Sequence, residues 1–242
     1  MAKQHDDTSF NSKLVMGQYR ELVNEIDLEV LRLREAKGRS PCPANCFECC
    51  RNTATMLISE VEGQNVKEGL KKLPQEIQAY ILKKANRSIS KIEQLGYSHE
   101  QITKEAGIES IEALKGKPEG ECPMLIGGVC SVYKHRPVIC RVWGYPINNG
   151  DELACCGKTF IGQRRLFKPI DCGRYWKECR DLSKALGAEK KIPIAYLVLW
   201  LLNEERNAKG KILRQTKEIE SAHATGKESV GPGLRDRRNS NV

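Results

Sequence analysis

Val15, Tyr19, Leu22, Ile26, Val30 and Leu33 recur at spacings of four, three, four, four and three, the period of a helix with one apolar stripe. Arg32, Arg34 and Lys37 fall in its last turn and Gly38 just beyond, where cations and glycine end helices. TATMLI, 53–58, reads as a short buried strand or extended segment. Ser59 with Glu62 forms a capping box that opens a helix through Leu70. Pro74 suits the first turn of the next helix, whose Ile77, Ile81, Ala85, Ile89, Ile92 and Leu95 hold helical spacing to Gly96. A second capping box, Ser98 with Gln101, starts a helix carrying Ile102, Ala106, Ile111 and Leu114 to Gly116.

Beyond 121 the pattern changes. Gly127 and Gly128, between MLI and VCSVY, predict a two-residue hairpin turn, which needs positive φ at both central positions. Pro137 opens a helical turn bearing Cys140 and Arg141, and Cys155 and Cys156 lie in a short loop. Asp171 caps CGRYWKECRDLSKAL, and Pro193 falls in the first turn of the apolar helix IPIAYLVLWLL. At 11 residues that run, 192–202, is well short of the roughly 20 needed to cross a bilayer.

The expected fold is mostly α, a helical shell around an irregular, cysteine-rich metal-binding core with a short β-hairpin. Its expected parts are an N-terminal helix (1–38), a cysteine-cluster domain with inserted helices (39–160), C-terminal helices packing on it (161–221) and a disordered basic tail (222–242). MAKQHDDTSFNSK lacks the apolar stretch of a secretory signal, so the expected compartment is a reducing cytoplasm, where structural disulfides are rare.

Net charge is +9, but residues 206–242 hold nine Lys/Arg against four Asp/Glu, so +5 of it lies in the last 37 residues. The basic residues are therefore not gathered among aromatics near the cysteines, and nucleic acid is disfavoured as a partner. No membrane partner is expected, and the expected partner is an unidentified protein partner or substrate.

Eleven cysteines are present, four of them in CPANCFECC: Cys42, Cys46, Cys49 and Cys50. Four thiols on irregular backbone after a helix stop suit ligation of one ion or cluster. Cys49 and Cys50 are adjacent, so an extended chain would point them in opposite directions. Cys122, Cys130 and Cys140 follow on the hairpin and the next turn, with Cys156 one loop later. These eight are the candidate metal ligands, Cys155 and Cys172 remaining open as alternatives to Cys156. Cys172 and Cys179, seven apart on a helix, also read as plain core residues. His135, between Lys134 and Arg136, reads as an exposed loop residue. Arg136 and Arg141 read either as groups that stabilise thiolate or as surface ion-pair partners.

Cys42, Cys46 and Cys49 match the CxxxCxxC spacing of radical S-adenosylmethionine enzymes, but the chain downstream lacks the strand–helix alternation of their barrel. Cys130 to Arg136 matches the C-x5-R of cysteine phosphatases, without a glycine to wrap an anion. Together the stretches resemble the YkgJ-like cysteine-cluster family of zinc- or iron-chelating proteins. The resemblance rests on Cys122, Pro123, Leu125, Gly128, Cys130, Ser131, Tyr133, Arg136, Pro137, Cys140 and Arg141, and on the first cluster, which has three residues rather than two between Cys42 and Cys46. It covers about 40–160 and implies an iron–sulfur cluster or zinc ion held by both stretches. A related flagellin lysine N-methylase subgroup shares the cluster and uses S-adenosylmethionine. An iron–sulfur enzyme modifying protein or RNA is the alternative function, and a zinc module for nucleic acid a more distant one.

Overall fold

The computed structural model describes residues 4–38, 42, 46–104, 111–150, 152–204 and 207. The striped first helix is α1, Gln4–Lys37, with Val15, Tyr19, Leu22, Ile26 and Leu33 buried along one side. Gly38 ends it at φ 76°, its N–H returning to the Glu35 carbonyl. Three further helices follow as the periodicity predicts: α2, Glu60–Lys71; α3, Gln75–Gln94; and α4, His99–Lys104. Both capping boxes form, at Ser59 with Glu62 and at Ser98 with Gln101. The helix expected to continue to Gly116 does not do so as an α-helix: Ala106 lies outside the described residues, and Glu112–Leu114 is a 3-10 turn.

TATMLI contributes only β1, Leu57–Ile58. The Gly-Gly hairpin forms between β2, Leu125–Ile126, and β3, Val129–Cys130, with φ of 57° and 79° at the two glycines. Pro137 precedes α5, Val138–Val142, which carries Cys140 and Arg141. Next comes a sheet the hydrophobic pattern does not announce. β4, Ile147–Asn149, pairs antiparallel with β5, Glu152–Ala154, and parallel with β6, Ile170–Asp171. Asp171 caps α6, Cys172–Ala185, by accepting from the Arg174 N–H. Pro193 belongs to β7, Ile192–Pro193, which pairs with β1, and α7 begins only at 194 and runs to 204. Among the described residues no helix is long and apolar enough to cross a membrane.

The architecture is mostly helical, with small sheets. One compact unit spans Met1–Leu202 and a second Asn203–Val242; the expected tail from 222 lies outside the described residues. Within the first unit, Tyr19, Ile26 and Leu33 pack on Val138, Val142, Ile170 and Tyr175, joining α1, α5, β6 and α6. A second core joins Val66, Leu70 and Ile81 to Met124, Leu125 and Val198. A third gathers Ile89, Ile92, Ile102 and Leu114 around Ala195. Cys122 belongs to the second core, and Cys50 and Cys130 pack against it. Cys172 and Cys179 are buried in the first, as a shared helical face requires.

Candidate functional site

Backbone hydrogen bonds hold the two cysteine stretches together. The Cys122 N–H donates to the Cys50 carbonyl at 2.7 Å, and the Thr53 and Ala54 N–H groups both donate to the Gly120 carbonyl. Cys49 and Cys50 are not splayed apart as an extended chain would have them. They lie in a 3-10 turn, Glu48–Cys50, with their thiols as interacting neighbours. That interaction lowers the Cys49 thiol, helped by backbone N–H donors and Arg136, and raises Cys50.

None of the eleven cysteines is in a disulfide. Their electrostatic neighbours fall into two groups. In one, Cys50 is raised by its interaction with Cys49, by burial, and then by Cys122 and Cys140. Burial and then Cys130 push Cys122 up to about 12. Burial raises Cys140 well above the ordinary thiol range, followed by Cys122 and Cys130, against the opposing pull of Arg136. Cys130 is raised mainly by burial, with Cys49 a smaller contributor. In the other group, the chain around the Cys42 sulfur raises that thiol although the residue keeps much exposed surface, and Cys46, Cys49, Cys156 and Cys155 add to the effect. Cys49 is a neighbour to both groups.

Sequence reasoning left Cys155 open, and the fold brings its sulfur to the second group. It lies 3.3 Å from Thr159 Oγ1 and donates weakly to the Gly144 carbonyl at 3.9 Å. Thr159 in turn donates its hydroxyl to the Cys156 carbonyl at 3.1 Å. Cys172 is elsewhere: burial, then Asp171 and Glu29, raise it to about 12, with no other cysteine contributing. Cys179 is likewise raised by burial and then Glu62.

Gly144 sits at φ 102°, and a Cβ there would stand 3.1 Å from the Cys42 sulfur. Gly144→Ala therefore carries both backbone strain, of order 1–3 kcal/mol, and a steric push on Cys42. The expected result is a loss of about 2 kcal/mol in chemical denaturation, together with faster alkylation of Cys42; a variant as stable as the parent would count against this packing.

The two arginines separate. Arg136 lies over the Tyr133 ring at 3.6 Å, donates to the Tyr133 and Cys140 carbonyls, and lowers Cys49, Cys130 and Cys140. Arg141 does not serve the sulfurs. It is 5% exposed, grips Asp27 of α1 through Nη1 at 2.8 and 3.1 Å, and donates to the Arg136 and Lys134 carbonyls. It is a buried staple rather than a surface pair. Arg141→Met is expected to cost about 3 kcal/mol, the low end for breaking a buried pair because Asp27 is half exposed; a loss below about 1 kcal/mol would make the staple dispensable.

His135 also departs from the exposed reading. Its ring is half-buried against Gly69, with Nδ1 3.2 Å from Asn65 Oδ1 and Nε2 3.2 Å from Lys72 Nζ. Nδ1 therefore donates and Nε2 accepts from the ammonium, and burial followed by Lys72 lowers its pKa. It holds the turn before Arg136 onto α2, away from the sulfurs.

Glu62 has a second role that its capping-box pattern does not announce. One oxygen accepts from the Ser59 N–H at 3.0 Å and hydroxyl at 2.5 Å, while the other accepts from the Val138 N–H at 3.0 Å. A buried carboxyl of α2 thus fixes the start of the helix that carries Cys140.

In donor type the gathered residues fit a thiophilic metal, since they offer sulfur and little else. The sulfurs are not drawn into a finished coordination sphere: among the described residues, no group of three or more His, Cys, Asp or Glu side chains is placed to hold a metal ion. No protein-family model, curated protein or solved structure matches the chain.

Proposed function

We propose that this is a metal-binding cysteine-cluster protein of the YkgJ-like kind, holding an iron–sulfur cluster or zinc ion through Cys42, Cys46, Cys49, Cys50, Cys122, Cys130, Cys140 and Cys156. The observation that carries the reading is the meeting of two stretches some 70 residues apart, by backbone hydrogen bonds, so that Cys49 neighbours thiols from both. Buried thiols that raise one another's pKa are poorly suited to ionise alone, and a bound cation would reverse that penalty. Cys155 joins Cys156 as a candidate at the second group. Zinc would make the site a structural knot, and an iron–sulfur cluster would supply redox or catalytic chemistry.

In either case the chain's own contribution is the same. Glu62 and Pro137 set α5, the Gly-Gly turn returns Cys130 toward Cys122, and Arg136 brings positive charge to the thiols. The proposed setting is a reducing cytoplasm and the proposed partner another protein. An iron–sulfur enzyme acting on protein or RNA is the second reading, favoured only by the open flank of the site, where Cys42 and Cys49 are exposed.

Metal and acid-labile sulfide analysis, with an absorbance spectrum, on protein purified without oxygen tests this. Iron with sulfide and a broad visible band supports the cluster; zinc alone supports the knot. Protein containing neither sinks the proposal.

A further inference from the structure

Two residues past Cys156 begins a segment whose display is costly to maintain. Phe160 is the one described non-glycine residue at positive φ, 45°, a region that bulky side chains avoid. Its ring is buried, packing edge-to-face on Phe167 at 5.0 Å and tilted against Tyr145 at 6.1 Å. Between the two anchored rings, 161–166 are exposed without a break. Ile161 is 75% exposed and Leu166 76%, which makes them the most exposed large hydrophobic residues described.

Arg164 and Arg165 stand between those aliphatic tips, and Lys158–Lys168 contains four cations and no carboxylate. Lys158 faces Glu48 at 3.8 Å. The end of α1 is tied to the same segment: Arg32 donates to the Lys168 carbonyl at 3.3 Å, and Lys37 Nζ to Gln163 Oε1 at 3.3 Å. The result is an exposed loop, braced by the buried rings at its two ends, that holds aliphatic side chains in a cationic field.

A nucleic-acid strand would gain from rings to stack on, and these tips are aliphatic. A protein partner would need a matching hollow. An anionic bilayer surface accepts both features at once, with arginine at the headgroups and isoleucine and leucine at the acyl boundary. We propose that 161–166 and the flanking cations dock the protein on an anionic lipid surface. The shortness of the apolar helices argues against crossing a membrane, which this docking does not require.

The test is sedimentation of the full chain with vesicles of phosphatidylcholine alone and of phosphatidylcholine with phosphatidylserine. Binding to the second alone is expected. Arg164→Gln with Arg165→Gln should lower that binding about 25-fold, the product of roughly fivefold for each cation near such a surface. Ile161→Ser with Leu166→Ser should remove the part of the binding that survives high salt. All four side chains are exposed, so an unchanged melting temperature is expected to accompany both effects. Absence of binding to phosphatidylserine vesicles overturns the proposal. So does binding that is indifferent to both pairs of substitutions, which assigns adsorption to the basic residues of 206–242. Retention on poly-uridylate with no vesicle binding also overturns it, in favour of a nucleic-acid face.

Discussion

Cys140→Ser is expected to lose at least half of the bound metal and to lower the melting temperature, and Cys49→Ser to do the same from the other stretch. Cys140 is carried on α5 and has Cys122, Cys130 and Cys49 as electrostatic neighbours, so its removal takes away a donor from the best-enclosed side of the site. Serine keeps the volume but offers a poor ligand for a thiophilic metal. Since metal binding is itself folding free energy, stability should fall along with metal content. Cys179→Ser is the control. That residue is buried in the core on α6, near Glu62 rather than other thiols, and the variant should keep its full metal content. Full retention in both Cys49→Ser and Cys140→Ser would sink the two-stretch site, and loss in Cys179→Ser would show the ligand set to be wrong.

Glu62→Ala should be as damaging as the loss of Arg141 and, unlike it, should reach the helix that carries Cys140 directly. It removes the acceptor for the Val138 and Ser59 N–H groups, both at a buried carboxyl. An orphaned buried donor costs about 1–3 kcal/mol, so a loss of roughly 3 kcal/mol is expected in denaturant titration. Freed from its anchor, the start of α5 should shift, and metal content should fall with it although no ligand has been touched. Glu62→Gln retains one acceptor oxygen and should cost about half as much. A Glu62→Ala protein within about 1 kcal/mol of the parent would show that the link between α2 and α5 carries no weight.

Local signals were legible wherever the determinants lie close in sequence. The stripe from Val15 to Leu33, both capping boxes, the Gly127–Gly128 turn, Pro137 before α5 and the Asp171 cap each depend on residues within a turn or two of one another. Strands of two or three residues show no alternation to read, so β4, β5 and β6 were hidden, and Pro193 fell to a strand that its pairing with Leu57 creates. At the site, the crowding of cysteines was plain, but their grouping was not. Cys155 was placed by Thr159 and Gly144, and Cys49 with Cys50 by a turn that has no strong sequence mark. Arg141 was ambiguous because Asp27 lies 114 positions upstream, and a pairing that distant leaves no trace in spacing.

The hydrogen bond from Cys122 to the Cys50 carbonyl also fixes an order of events during synthesis. Cys122, the first of their later neighbours, follows Cys50 by 72 residues, which a ribosome adding about 5–20 residues per second needs roughly 4–14 s to produce. Throughout that interval the nascent chain carries Cys42, Cys46, Cys49 and Cys50 with none of their later neighbours. Oxidation or capture by a stray ion then competes with the closure of a long loop, and conditions that slow elongation should raise the fraction of chains that mature with the first four thiols already spent.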